Sequence, residues 1–106
     1  MFKTETIDLV KNAIKEETIN AKKHGNLYHS NHEAYSIIRE EVDEATECIN
    51  AMNTFMRSLW DKIKQDEPNL KHEVDGVYSM ALWGAMECIQ VAACINKFLD
   101  REERGL

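Results

Sequence analysis

An all-α fold of few, long helices follows from three observations on this chain. Only four glycines and one proline occur in 106 residues, which leaves little room for turns. Apolar residues recur at helical spacing, and no stretch alternates in the manner of a strand. Charged residues make up 30% of the chain, with Glu and Lys prominent, as the wet outer faces of helices require. A chain of this length builds one domain, residues 1–106, with a modest core.

The first helix is expected from about Thr4 to Lys23, with a narrow apolar stripe of Ile7, Val10, Ala13, Ile14 and Ala21. Lys22, Lys23 and His24 gather at its C-terminal end, where positive charge suits the helix dipole, and Gly25 is the expected residue just past the end. Asn26 to His29 form a short connection. Ser30 and Glu33 have the spacing of a capping box, so the second helix begins there and continues to about Glu67, before Pro68. A helix of that length invites a kink or break beyond Asn53. His29 and His32 lie at its start, a place where histidine is commonly structural.

At about 100° per residue, Tyr35, Ile38, Val42, Ala45, Ile49, Met52, Met56, Leu59 and Ile63 form one unbroken seam along the second helix. Ala34, Ile37, Cys48 and Phe55 make a second stripe beside it, and Glu41 and Glu44 project from that stripe. Glu40, Asp43 and Glu47 point further round, toward the wet face. Two carboxylates three residues apart therefore stand where apolar side chains are expected, and buried acids need a cation, a proton or hydrogen-bonding partners.

The third helix starts after Pro68-Asn69 and runs to about Glu103. From Val77 to Ile95 it is apolar nearly all round, which its length alone would allow as a membrane span. Glu87 and Gln90 in its centre argue against that. A helix apolar on every side must be surrounded, and two other helices in so short a chain cannot enclose it. A partner subunit is implied: a homodimer completing a larger bundle, or a tetramer built from two such dimers.

A net charge of −6 argues against a nucleic-acid surface, and requires that any phosphate-bearing ligand be bridged by a cation. Cys48, Cys88 and Cys94 fit neither a zinc site nor a disulfide framework and read as core thiols. The N-terminus lacks the apolar core of a signal peptide, so a reducing cytoplasm is the expected compartment.

On the third helix Met80, Trp83, Glu87, Gln90 and Cys94 share a face. The second and third helices, joined near Pro68, must run antiparallel, which places Glu44 and Glu87 within about one and a half turns of the same level. Slack in the connection would let two helices offer three or four oxygen-bearing side chains to one point. Mg²⁺, or Mn²⁺ in its place, suits such a donor set.

The combination of E-x-x-E on one helix with a segment around Glu87 on the next resembles the all-α NTP pyrophosphatase superfamily, the MazG-like proteins, and in particular its small single-domain, phage-type members. The resemblance rests on Ser30–Tyr35 leading into Glu40-Glu41-Val42-Asp43-Glu44, and on Glu87 to Ala93 ending in Phe98-Leu99. It implies a MazG-like bundle completed by dimerisation, and Mg²⁺-dependent hydrolysis of a nucleoside triphosphate to monophosphate and pyrophosphate. It makes Glu41, Glu44 and Glu87 metal ligands, with Gln90 standing where the family has an Asp. Glu40 then becomes a candidate acceptor of the attacking water's proton. Lys97 and Arg101 are candidates for phosphate oxygens, His32 for a further substrate contact, and Trp83 for the base. The rival expectation is a MazG-like helical dimer that has lost catalysis and serves as a binding or regulatory module. Gln90 favours that rival; the acids at 41, 44 and 87 oppose it. A di-iron bundle is excluded, because it needs E-x-x-H pairs and the chain has none.

Overall fold

Three helices account for nearly all of the chain: α1 (Thr4–Ala21), α2 (Asn31–Lys64) and α3 (Lys71–Glu103), with a single 3₁₀ turn at Lys22–His24. The computed structural model describes residues 1–105, and no strand occurs among them. Helices α2 and α3 form a long antiparallel hairpin, and α1 packs beside α3. Contacts between α1 and α3 rise together in number, from Glu17 with Gln90 to Lys22 with Asp100, so these two helices run in the same direction.

Local sequence sets the helix ends. The hydroxyl of Ser30 accepts the Glu33 backbone N–H at 3.0 Å, which is half of the expected capping box. The other half differs: the Glu33 carboxylate accepts from the His29 backbone N–H at 3.3 Å and lies 3.2 Å from the His29 ring nitrogen. Helix α2 stops at Lys64, short of the expected Glu67. Asp66 takes a left-handed conformation (φ 53°), and the N–H groups of Asp66 and Glu67 bond back to the carbonyls of Ile63 and Lys62. That Schellman closure ends the helix before Pro68 has any effect. No break divides α2, which runs 34 residues without interruption. Helix α1 likewise ends at Ala21, and the last residues of the expected helix tighten into the 3₁₀ turn before Gly25 (φ 134°).

The packed face of α2 differs from the expected seam. Ala34, Ile38, Glu41, Ala45, Cys48, Met52, Phe55, Leu59 and Lys62 are covered in a strict alternation of four and three, with Ile37, Val42, Ala51 and Ser58 half-covered beside them. Tyr35, Ile49, Met56 and Ile63 of the expected seam are 43–65% exposed. The apolar arc of α2 is wider than one neighbour can cover, and α3 takes the side that carries Glu41. Helix α3 answers with the same alternation: Glu73, Val77, Met80, Gly84, Glu87, Val91, Cys94, Phe98 and Arg101 are all at least half covered.

Small residues let the two helices approach. A Cβ on Gly84 would meet Cys48 at 3.4 Å, and a Cβ on Gly76 would lie 2.5 Å from the Phe55 ring. That ring also meets His72 edge-on at 5.7 Å. Near the turn, Glu73 is 3% exposed and pairs with Lys62 at 2.9 Å, which holds its carboxyl below the usual range.

The tertiary frame around α1 is largely polar. Lys22 pairs with Asp100, Asn96 donates to Thr18 at 3.2 Å, and Arg101 donates to the Tyr28 carbonyl at 2.9 Å. Tyr28, from the short connection, is 2% exposed and meets Phe98 edge-on. Of the three free thiols, Cys94 is buried and Cys48 half-buried, whereas Cys88 is exposed and is not a core thiol of this chain.

The bundle is elongated, 60 × 32 × 22 Å, with a radius of gyration of 18.0 Å. A compact domain of this length would have about 13 Å. Helix α3 is long and apolar enough to cross a membrane by length and composition, and 17% of its most apolar window is buried. Tyr78, Leu82, Trp83 and Met86 all stand 45% or more exposed along it.

Gly76→Ala tests the hairpin packing. Replacing a mid-helix glycine by alanine ordinarily stabilises by ~1 kcal/mol. Here the added methyl displaces the Phe55 ring, an overpacking cost of about 1–3 kcal/mol. Urea denaturation should show a net loss of stability; a gain near 1 kcal/mol would show that the Phe55 ring does not occupy that space.

Candidate metal centre

The seam positions of α2 and α3 are the route by which acids meet. Counted from the helix ends flanking the turn, Glu44 and Glu87 differ in level by four residues, about 6 Å. Extended glutamate side chains span that gap. Glu41, Glu44 and Glu87 each bring a carboxylate oxygen to within 4.8 Å of the others. Glu41 and Glu87 are half-buried in the seam, and Glu44 is exposed at its edge.

The electrostatics follow from that placement. Burial raises the Glu41 carboxyl, and the charges of Glu44 and Glu40 raise it further. Burial also raises Glu87, with a shared hydrogen bond to Glu44 and the charges of Glu44 and Glu41 adding to the effect. Three acids at this spacing cannot all ionise cheaply, and a proton or a cation would relieve their repulsion.

A cavity of about 260 Å³ adjoins this cluster, lined by Glu41, Gln90, Cys94, Tyr28, Lys97 and His24 among others. Lys97 is 8% exposed. Its ammonium donates to the Ala21 carbonyl at 3.3 Å and lies 4.5 Å over the Tyr28 ring. No carboxylate among the described residues pairs with it. The Tyr28 hydroxyl donates to the Cys94 carbonyl at 3.3 Å, and burial raises both the Tyr28 phenol and the Cys94 thiol. The lining of this cavity therefore joins one acid of the cluster, Glu41, to a buried cation, Lys97.

Of the remaining sequence candidates Gln90 lines this cavity, and Glu40, Trp83 and His32 lie apart from it. Gln90 sits one turn beyond Glu87, but its amide nitrogen donates to Glu17 of α1 at 2.7 Å. Glu40 is exposed on α2. Trp83 is 52% exposed and does not line the cavity. His32 borders a separate surface depression with Asn31, Tyr35 and Ser36.

Glu17, Tyr28 and His24 are site neighbours that sequence reasoning missed. Glu17 had a legible signal: Val10, Ile14, Glu17 and Ala21 follow the same alternation of four and three that marks Glu41. Tyr28 had none, because it lies in a connection without periodicity.

The donor set fits a hard divalent cation: three carboxylates on two rigid helices, two of them half-buried, with an amide one turn away. Without metal, the raised carboxyls of Glu41 and Glu87 cost stability wherever both are ionised, and that cost is relieved as pH falls through their raised values. Glu73 acts in the opposite sense, since its lowered carboxyl contributes stability that is lost only at pH below the ordinary carboxylate range. In EDTA, the melting temperature should therefore rise as pH is lowered from 8 toward the ordinary carboxylate range. Glu44→Gln should flatten that rise and leave the apo protein as stable or more so at pH 8. A melting temperature that falls monotonically over the same range would contradict the placement of these acids. Compared with models of known families, with curated proteins and with solved structures, the chain matches none.

Proposed function

We propose that this chain is a MazG-like, Mg²⁺-dependent nucleoside triphosphate pyrophosphohydrolase, converting a (d)NTP and water to (d)NMP and pyrophosphate. The observation that carries the reading is the meeting of Glu41, Glu44 and Glu87 beside a cavity that holds the buried Lys97. Acids alone would attract any cation. An acid cluster that shares a cavity with a buried ammonium through Glu41 is complementary to a metal ion that carries a polyphosphate.

Glu41, Glu44 and Glu87 would hold Mg²⁺, or Mn²⁺ in its place, with the Gln90 amide oxygen as the neutral member. Once bound, the ion shields phosphate charge and orients a water. Lys97 is fixed by the Ala21 carbonyl and the Tyr28 ring, so it offers its ammonium to phosphate oxygens with little freedom to lose. His24 lines the same cavity and adds a second donor. Glu40, one turn before Glu44 and exposed, would be the acceptor of the attacking water's proton.

The reading includes a homodimer, from which a tetramer can be built. Tyr35, Ile49, Met56 and Ile63 are spaced by multiples of seven, so the exposed edge of α2 is one continuous apolar strip. Tyr78, Leu82 and Met86 make a similar strip on α3. Exposed strips of that length are the mark of a helix face that another subunit covers. The second reading, a helical dimer with a binding or regulatory role, is favoured by one observation: Gln90 brings no charge to the acid cluster.

A panel of canonical and modified NTPs and dNTPs with Mg²⁺, scored for pyrophosphate release, separates the two. The enzyme reading expects release that EDTA and Glu87→Gln abolish. Metal binding without turnover on any member would favour the regulatory dimer. Sedimentation should give at least twice the 12.3 kDa chain mass at micromolar concentration, and a stable folded monomer would remove the dimer.

A further inference from the structure

Gln90 stands between two neighbourhoods. On one side it borders a surface cleft with Glu17 and Met86. On the other it lines the cavity that contains Glu41 and Lys97. Its amide nitrogen donates to the Glu17 carboxylate at 2.7 Å. Chemistry fixes which end of the amide faces Glu17: an ionised carboxylate accepts hydrogen bonds and donates none, so the nitrogen must point to it. The amide oxygen, about 120° away on the same planar group, is then turned from Glu17 and free to accept from, or ligate, another partner.

We infer that Glu17 is a positioning residue for the acid cluster: by holding the Gln90 nitrogen it presents the Gln90 oxygen to a cation shared with Glu41, Glu44 and Glu87. This inference rests on the cation reading of that cluster. Lys97, buried in the same cavity, is held by the Ala21 carbonyl and the Tyr28 ring and has no carboxylate partner among the described residues. Glu17 thus ties the placement of α1 to the metal site without touching the metal itself, the role that outer partners of metal ligands commonly play. A carboxylate at position 90 would face Glu17 with like charge, whereas the amide satisfies Glu17 and the cation with its two different ends.

The test uses Mn²⁺ alone as probe, with affinity measured by calorimetry on the full chain and helicity checked by circular dichroism. Glu17→Gln can still accept the Gln90 N–H through its own amide oxygen and should bind Mn²⁺ within about twofold of the native chain. Glu17→Ala removes the anchor, and Glu17→Lys presents a donor that turns the Gln90 oxygen outward. Both should weaken Mn²⁺ binding by roughly 10–100-fold, the range seen for outer partners of metal ligands. If Glu17 only docks α1, the Ala and Lys variants will melt earlier in EDTA yet bind Mn²⁺ as the native chain does, and the inference is overturned. Glu44→Gln is the control on the underlying reading. Native protein that binds no Mn²⁺, or a Glu44→Gln variant that binds it unchanged, overturns the cation site itself and Glu17's role with it.

Discussion

Two carboxylates in a helix–helix seam are the constraint around which this molecule is arranged. Glu41 on α2 and Glu87 on α3 occupy positions where the alternation of four and three calls for apolar side chains. The seam carries another acid, Glu73 near the turn, and the contrast is instructive. Glu73 has Lys62 at 2.9 Å and is held below the ordinary carboxylate range. Glu41 and Glu87 have each other and Glu44, and are pushed above it. One end of the seam is neutralised by the chain itself; the other is left for a proton or a cation. A fold selected only for stability would fill those positions with Leu or Ile, since a buried acid brings no packing gain that an aliphatic residue does not.

The rest of the fold serves that placement. Gly84 and Gly76 bring the helices close enough for their side chains to converge, and the unbroken length of α2 carries the register from the turn to Glu44. The hydrogen bonds of Lys97 to the end of α1 and of Arg101 to the α1–α2 connection tie both to α3 beside the acids. Helix α1 contributes almost no core of its own and is held by polar contacts, among them Glu17 with Gln90. The apolar surface that a three-helix chain cannot cover is thereby displaced to the outer edges of α2 and α3, away from the charged seam.

Much of this was legible in the sequence, because long helices report their faces directly. The three helices, the Ser30 cap, and the convergence of Glu41, Glu44 and Glu87 all follow from spacing and from one antiparallel turn. What spacing could not decide was which half of a wide apolar arc meets α3. Tyr35, Ile49, Met56 and Ile63 are as periodic as the residues that are covered, and only the partner helix chooses between them. Helix ends were misplaced by two or three residues where backbone closure at Asp66 pre-empted the proline. Gln90 shows a different limit: in the sequence it reads as a missing acid, and in three dimensions as an amide with a carboxylate on one side and the site cavity on the other. Glu17, the residue that makes the difference, lies 73 positions away in the chain.

The most direct measurement is a calorimetric titration of the native chain with Mn²⁺ near pH 6, repeated in buffers of different ionisation enthalpy. Carboxyls raised by burial and by one another must give up protons when a cation arrives. Saturable binding of one ion per chain, with proton release that disappears in Glu87→Gln, is the expected result. An absence of binding heat in every buffer, or binding that Glu87→Gln leaves unchanged, would contradict a cation site in the α2–α3 seam.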